Sequence, residues 1–236
     1  HTLTIWGDST HRLTTTSNHP FLIVKRERAN ERNKTWTANW NPAHKLQPRD
    51  YLLIPINRKT ISRQYIDIPV KFRKGIEVKR LPLTKEFFRL IGYYLAEGSI
   101  SSDSYLNFSF GPHEHTYIND AEHILKKIGA KSIHHVLHSK HNGVSVVVGD
   151  VRLARAFKQF GTSALTKQLP SWAIYETPEK QKELIIGLFR GDGNYYHKKH
   201  APGYKEVLRL NTVSPVLARQ TRDILLRLNI FAFINK

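Results

Sequence analysis

The chain contains no cysteine and no methionine. Without cysteine it forms neither a disulfide nor a thiolate-held metal site, and cysteine usage leaves the redox compartment open. The cytoplasm is expected by default. No run approaches the roughly 18 apolar residues of a membrane-spanning helix, and no charged-then-apolar leader precedes the first strand-like segment. Beginning at His1, the 236-residue chain reads as a fragment. Negative charge is scarce as well: 19 Asp and Glu face 37 Lys and Arg, for a net charge of +18 and a pI near 10.1. That balance favours polyanions through counterion release and long-range steering, so nucleic acid is the default partner. On charge alone, a generally basic surface or an anionic membrane contact stays open. With 40% hydrophobic residues, the chain can bury one large or two small cores.

What is present falls into three stretches. Residues 1–57 are rich in Thr, Val, Ile and Trp, with alternating runs at Leu3-Thr-Ile-Trp6 and Phe21-Leu-Ile-Val24, and read as all-β. Residues 58–82 read as a basic connector in which apolar periodicity fades. There Arg73, Lys74, Lys79 and Arg80 are candidate DNA contacts, with a solvated linker as the alternative. From Leu83 an α+β pattern begins. Thr84 is placed to cap a helix ending near Gly98, and Tyr105–Phe110 alternates as a strand with Leu106, Phe108 and Phe110 on its apolar side. Its wet face is available to DNA. A helix over Thr116–Ile128 stops at Gly129, a hairpin turns near His141-Asn-Gly143, and a helix covers Val151–Phe160.

The pattern then restarts. Glu179–Gly191 is helical, Val207–Thr212 alternates, and Pro215–Leu228 is a helix closed by Asn229. Ile124-Leu-Lys-Lys-Ile-Gly129 and Ile224-Leu-Leu-Arg-Leu-Asn229 are copies of one another. Residues 83–236 are therefore expected to form one pseudo-twofold domain, with repeat one over 83–165 and an incomplete repeat two over 178–236.

The chemistry lies where the copies begin. Leu90-Ile-Gly-Tyr-Tyr-Leu-Ala-Glu97-Gly-Ser99 and Leu184-Ile-Ile-Gly-Leu-Phe-Arg-Gly-Asp192-Gly193 share an apolar helical run with small residues four apart, ending in a carboxylate-glycine pair. Gly92 and Ala96 share one helix face, and Gly187 and Gly191 another, so the two helices can pack with backbones nearly touching. Glu97 and Asp192 then emerge side by side. A single acid-glycine pair after a helix is ordinarily a capped turn. Two copies point instead to a site holding a divalent cation, Mg2+ or Mn2+, against a phosphodiester. Gly98 and Gly193 join the acids as candidate ligands.

These stretches resemble the LAGLIDADG homing endonucleases, over Leu83–Lys236. The resemblance implies αββαββα repeats, two central packed helices over β-saddles, and one metal-binding acid per repeat. Gly92, Ala96, Gly187 and Gly191 take the helix-packing positions, with Glu97 and Asp192 as the acids. The first motif departs by carrying Glu for Asp, which lengthens the arm but keeps the anion. Lys167, in Lys167-Gln-Leu-Pro170, resembles a catalytic lysine stretch of intein endonucleases. The activity implied is metal-dependent hydrolysis of both strands of duplex DNA at a long specific site. Two motifs in one chain make a monomer sufficient. Arg209 and Asn211 are candidate base readers on an outward strand face.

Upstream, Leu13-Thr-Thr-Thr16-Ser-Asn-His19-Pro20 resembles the Thr-x-x-His block of intein splicing (Hint) domains, making Thr16 and His19 the splicing-block residues. Lys45–Pro55 is similar to the Leu-x-x-Gly-Asp stretch that follows there, with Arg49 where glycine is usual. The host would then be the protein interrupted by the intein. Splicing also needs an amino-terminal Cys or Ser and a carboxy-terminal His-Asn, and neither is visible, so this polypeptide is not expected to splice. The competing readings are a LAGLIDADG-like protein that only binds DNA, and a splicing element whose endonuclease no longer cuts. His134, His135, His138 and His141 cluster near the first hairpin, but their spacing suits phosphate contact or solvation better than a transition metal. Gly191-Asp-Gly193 lacks the strand-to-helix context of a nucleotide loop.

Overall fold

The computed structural model of the chain describes residues 2–7, 10–25, 37–138, 143–200 and 203–235. They divide into two compact units, one of residues 1–58 with 230–236 and one of residues 59–229.

In the first unit β1 (Thr2–Gly7) pairs antiparallel with β2 (Thr10–Thr16). Strand β3 (Pro20–Val24) lies between β4 (Asn39–Pro42) and β5 (Tyr51–Leu52). Ile23 and Val24 supply its buried side chains together with Ala43. The turn into β5 is held by Asp50, whose carboxylate accepts from the backbone N–H of Gln47 at 2.9 Å and from Lys25 Nζ at 2.8 Å. Arg49 takes φ +76° there, so the turn that glycine would make freely is made by a side-chain-bearing residue at a cost of about 1 kcal/mol.

The second unit opens on an element that the sequence concealed. The stretch expected as a basic connector is a β-hairpin, β6 (Tyr65–Phe72) paired with β7 (Gly75–Pro82) across the two-residue turn Arg73-Lys74. Ile66, Ile68 and Val70 alternate with Tyr65, Asp67 and Lys71, a period-2 pattern masked by the surrounding cations. Val70 and Leu81 are buried in the unit. The hairpin is clasped by helix α3 (Val151–Phe157): Arg152 pairs with Glu77, Arg155 donates to the Lys71 carbonyl, and both guanidiniums lie over the Phe72 ring. Packing thus turned an apparent linker into part of the fold.

Helix α1 (Lys85–Glu97) begins at Thr84, whose hydroxyl accepts from Phe87 N–H at 3.2 Å. It leads directly into β8 (Gly98–Ser101) and β9 (Tyr105–Phe110), then α2 (His115–Lys127), β10 (Ile133–His138), β11 (Gly143–Val148) and α3. The four strands form one antiparallel sheet in the order β10-β11-β9-β8. Leu106, Phe108 and Phe110 of β9 are buried together with Val144, Val146 and Val148 of β11, beside Phe87, Tyr94, Phe157 and Phe160. The hairpin turn expected near His141 lies outside the described residues.

After the short helix α4 (Ser171–Ile174), the pattern repeats as α5 (Pro178–Asp192), β12 (Gly193–His200), β13 (Gly203–Leu210) and α6 (Pro215–Arg227). Repeat one is αββαββα and the described part of repeat two is αββα. Helices α2 and α6 end alike: Gly129 has φ +77° and Asn229 φ +61°, each with its N–H on the carbonyl three residues back.

Candidate active site

The site grows out of the α1–α5 contact. A Cβ added at Gly92 would stand 2.6 Å from Leu188 N, and one at Gly187 would run into the Arg89 carbonyl and stand 3.1 Å from Gly92 Cα. At Gly191 it would meet Ala96 Cβ at 2.5 Å and Glu97 Cγ at 3.0 Å. Real side chains cannot occupy those distances, so the small residues are what allow the two backbones to touch. Gly92 and Gly187 lie where the α1 and α5 backbones approach, and Gly191 lies against Ala96.

Glu97 and Asp192 end these helices, and each is followed by a glycine whose N–H caps the helix, Gly98 onto Tyr94 O and Gly193 onto Phe189 O. Burial pushes the half-buried Glu97 carboxyl up to about 7, with the charges of Asp192 and Glu114 adding to the rise and Lys167 opposing it. Burial raises Asp192 as well, again opposed by Lys167. Two carboxylates sharing a poorly solvated place favour a cation between or beside them.

Lys167 supplies one from the chain. Only 4% exposed, its Nζ donates to Tyr94 O at 2.5 Å and to Gly98 O at 2.7 Å and lies 3.4 Å from the centroid of the Tyr94 ring. Burial lowers its ammonium to about 7, against the pull of Asp192 and Glu97. The segment carrying it leaves Gly161 at φ +90°, where the Tyr94 hydroxyl donates to the Gly161 carbonyl at 2.6 Å. Tyr94 therefore fixes both the start of the segment and the seat of its ammonium. Sequence reasoning singled out Glu97, Asp192 and Lys167 and passed over Tyr94 and Glu114. Tyr94 was visible inside the first helical run as a phenol on an otherwise apolar face, whereas Glu114 offered no sequence signal.

The remaining candidates are dispersed. Arg209 is exposed on β13 opposite Asn194; it donates to the Tyr196 hydroxyl at 2.8 Å and stacks on that ring. Asn211 is exposed, and its backbone N–H reaches Asp192 O at 3.4 Å. Arg73 and Lys74 are exposed at the tip of the β6–β7 hairpin, while Lys79 is partly covered on its inner face. Arg80 is held by Asp67 in a two-point ion pair at 2.7 and 2.8 Å, over the Tyr65 ring, so its charge is already matched. The histidines separate by strand alternation: His134 bonds Ser132 and His138 bonds Ser145, while His135 faces Glu122 from the opposite side of β10. Among the described residues no group of three or more His, Asp or Glu side chains could hold a metal. In the first unit Thr16 and His19 meet through the backbone, His19 N–H donating to Thr16 O at 3.1 Å, with the imidazole edge-on to Phe21.

Residues 179–236 match the model of the LAGLIDADG-like domain family. The chain is 32% identical over 168 residues to an uncharacterized protein of Methanocaldococcus jannaschii, covering 66% of this chain and 18% of that protein. Similarity to an iron-sulfur cluster assembly SufBD family protein of Mycobacterium bovis is 28% over 239 residues, or 93% of this chain and 26% of that protein. With the DNA-directed RNA polymerase subunit Rpo1C of M. jannaschii it is 27% over 186 residues, or 75% and 20%. The chain thus spans about a fifth to a quarter of the length of these curated relatives. The solved N-terminal LAGLIDADG domain of DUF199/WhiA is similar over 64% of this chain and 70% of that chain, with a TM-score of 0.43 and 16% identity. Among the described residues no helix is long and apolar enough to cross a membrane.

Proposed function

We propose that this chain belongs to an intein and carries a site-specific DNA endonuclease that cuts both strands at the uninterrupted insertion site. The observation that carries the reading is the meeting of two helix-end acids, Glu97 and Asp192, on touching backbones beside the buried ammonium of Lys167. Support for the intein setting comes from the relatives, where a segment like this chain makes up a minor fraction of proteins with unrelated names. The resemblance of Thr16-Ser-Asn-His19 to a splicing block supports the same setting.

The donor set fits a hard divalent cation. Two carboxylates and the Gly193 carbonyl, with the Gly98 carbonyl already accepting from Lys167, offer oxygen only, and too few atoms for an all-protein cage; magnesium, or manganese, is held this way with water and phosphate oxygens completing the shell. When bound, the cation supplies an acidified water and neutralises charge at the phosphorus. Glu97 and Asp192 would orient it, one acid to each strand. Lys167, desolvated enough to hold or release a proton near neutrality, would offset charge on the phosphoryl oxygens. Arg209 stacked on Tyr196, with Asn194 opposite, forms a donor-rich strand face suited to base edges in the major groove.

The test uses the full-length protein carrying this chain and a plasmid bearing the uninterrupted host junction. Cleavage confined to the junction, dependent on magnesium and lost in Glu97→Gln and Asp192→Asn, is the expected outcome. Tight binding of the junction without a cut under magnesium or manganese would reject the enzyme in favour of a DNA-binding or decayed element.

A further inference from the structure

Lys167 belongs by position to the segment between the repeats, yet both of its ammonium bonds end in repeat one, on Tyr94 O and Gly98 O. Its backbone, in contrast, is gripped by repeat two. Ser214, 1% exposed at the start of α6, uses its hydroxyl twice, accepting from Leu217 N–H at 3.2 Å as a helix cap and donating to Lys167 O at 2.6 Å. Six residues further along, the Gln220 amide closes on both polar atoms of Leu169, accepting from its N–H at 2.7 Å and donating to its carbonyl at 2.8 Å. Three bonds from one helix therefore fix the backbone on either side of Gln168.

The internal repeat shows that these contacts are particular to one half. When α2 and α6 are aligned on their closing residues Gly129 and Asn229, Ser214 falls on Glu114 and Gln220 on Asp120. Glu114 caps nothing with its side chain and accepts from Gly111 N–H at 2.6 Å instead. Asp120 turns to Arg89 and Tyr93. In repeat one the same two helix positions thus hold no lysine segment.

We infer that Ser214 and Gln220 are positioning residues: acting from repeat two, they fix the Lys167 segment so that its ammonium, seated on Tyr94 O and Gly98 O, is held beside the helix-end acids. The inference rests on the endonuclease reading for its consequence but not for its geometry. Because a small displacement of a reacting group costs one to two orders of magnitude in rate, loosening the segment slows cleavage.

Acylation of the full-length protein with acetic anhydride, read residue by residue by mass spectrometry, measures the placement directly. Lys167 is expected to be protected relative to the exposed Lys74, and Ser214→Ala and Gln220→Ala each to raise Lys167 labelling several-fold with Lys74 unchanged. Ser214→Thr, which retains the hydroxyl, restores protection. Labelling of Lys167 unaltered in both alanine variants, each with native circular dichroism, overturns the positioning role whether or not the protein cuts DNA. On junction DNA, Ser214→Ala is expected to lower kcat about tenfold or more at unchanged KM, with Ser214→Thr restoring it. A native kcat in Ser214→Ala despite raised Lys167 labelling overturns the catalytic consequence. If the unaltered protein cuts neither strand while the labelling shift stands, the endonuclease reading fails and the positioning role is retained.

Discussion

Asp120 illustrates how much of a site's support is invisible one residue at a time. Its carboxylate receives two N–H bonds from Arg89, at 2.6 and 2.8 Å, and one from the Tyr93 hydroxyl at 2.9 Å, while Arg89 also pairs with Glu183 of α5. Arg190 donates to Tyr93 OH at 2.7 Å and completes the cluster. Burial acts to raise Asp120, but the bonds from Arg89 and Tyr93 outweigh it and leave the group below its ordinary value of 3.8. A carboxyl whose folded value is depressed stabilises the fold above its unfolded value, and that contribution disappears as pH falls through the folded one. Asp120→Asn is therefore expected to cost about 1–2 kcal/mol at pH 7, after discounting for its partial exposure, and much less near pH 2. Urea unfolding at both values measures it, and an equal deficit at each would remove the ion pair as the cause. Residues whose job is done within one turn of chain were legible in advance, as with Thr84 capping α1 or Gly129 and Asn229 closing helices in the left-handed region. The Arg89 cluster joins three helices distant in sequence, and no local spacing announces it.

At the scale of elements, the α1–α5 pair was legible because its requirement is written twice, as small residues four apart before an acid. The β6–β7 hairpin was not, because its alternation of Ile66, Ile68 and Val70 runs through a field of Arg and Lys, and Pro69 breaks the strand signature. Repetition also explains the unequal clarity of the site: the acids recur and were seen, whereas Ser214 and Gln220 have no like counterparts in the first copy. The helix pair makes a prediction whose sign opposes intrinsic preference. Alanine favours a helix over glycine by about 1 kcal/mol, so Gly187→Ala in an exposed helix would stabilise. Here the added methyl meets the Arg89 carbonyl across the interface, and the expected result is a loss of about 2–3 kcal/mol or more, read as a lower midpoint in chemical denaturation. A neutral or stabilising effect would mean that the two helices are not in backbone contact.

For the molecule as a whole, a net charge of +18 would, under the proposed function, set how it meets DNA more than where. Phosphate contacts release counterions, and the logarithm of affinity falls with the logarithm of salt with a slope near −0.9 for each phosphate neutralised. Arg73 and Lys74 stand exposed at the tip of a ribbon on which Arg80 is held by Asp67 and Lys79 is partly covered. They are suited to backbone contact without a preference for sequence. Arg209, held flat by Tyr196, is suited to reading a base edge. The two classes separate in one titration series. Arg73→Ala with Lys74→Ala should weaken binding to junction and unrelated duplex alike and make the salt slope shallower by about 2. Arg209→Ala should leave the slope within about 1 of the native value and cost about 1–3 kcal/mol on the junction alone. Fluorescence anisotropy over a range of potassium chloride concentrations distinguishes them. A slope unchanged by the double substitution would take the hairpin tip off the DNA, and an Arg209→Ala loss shared equally by unrelated duplex would make that residue a phosphate contact.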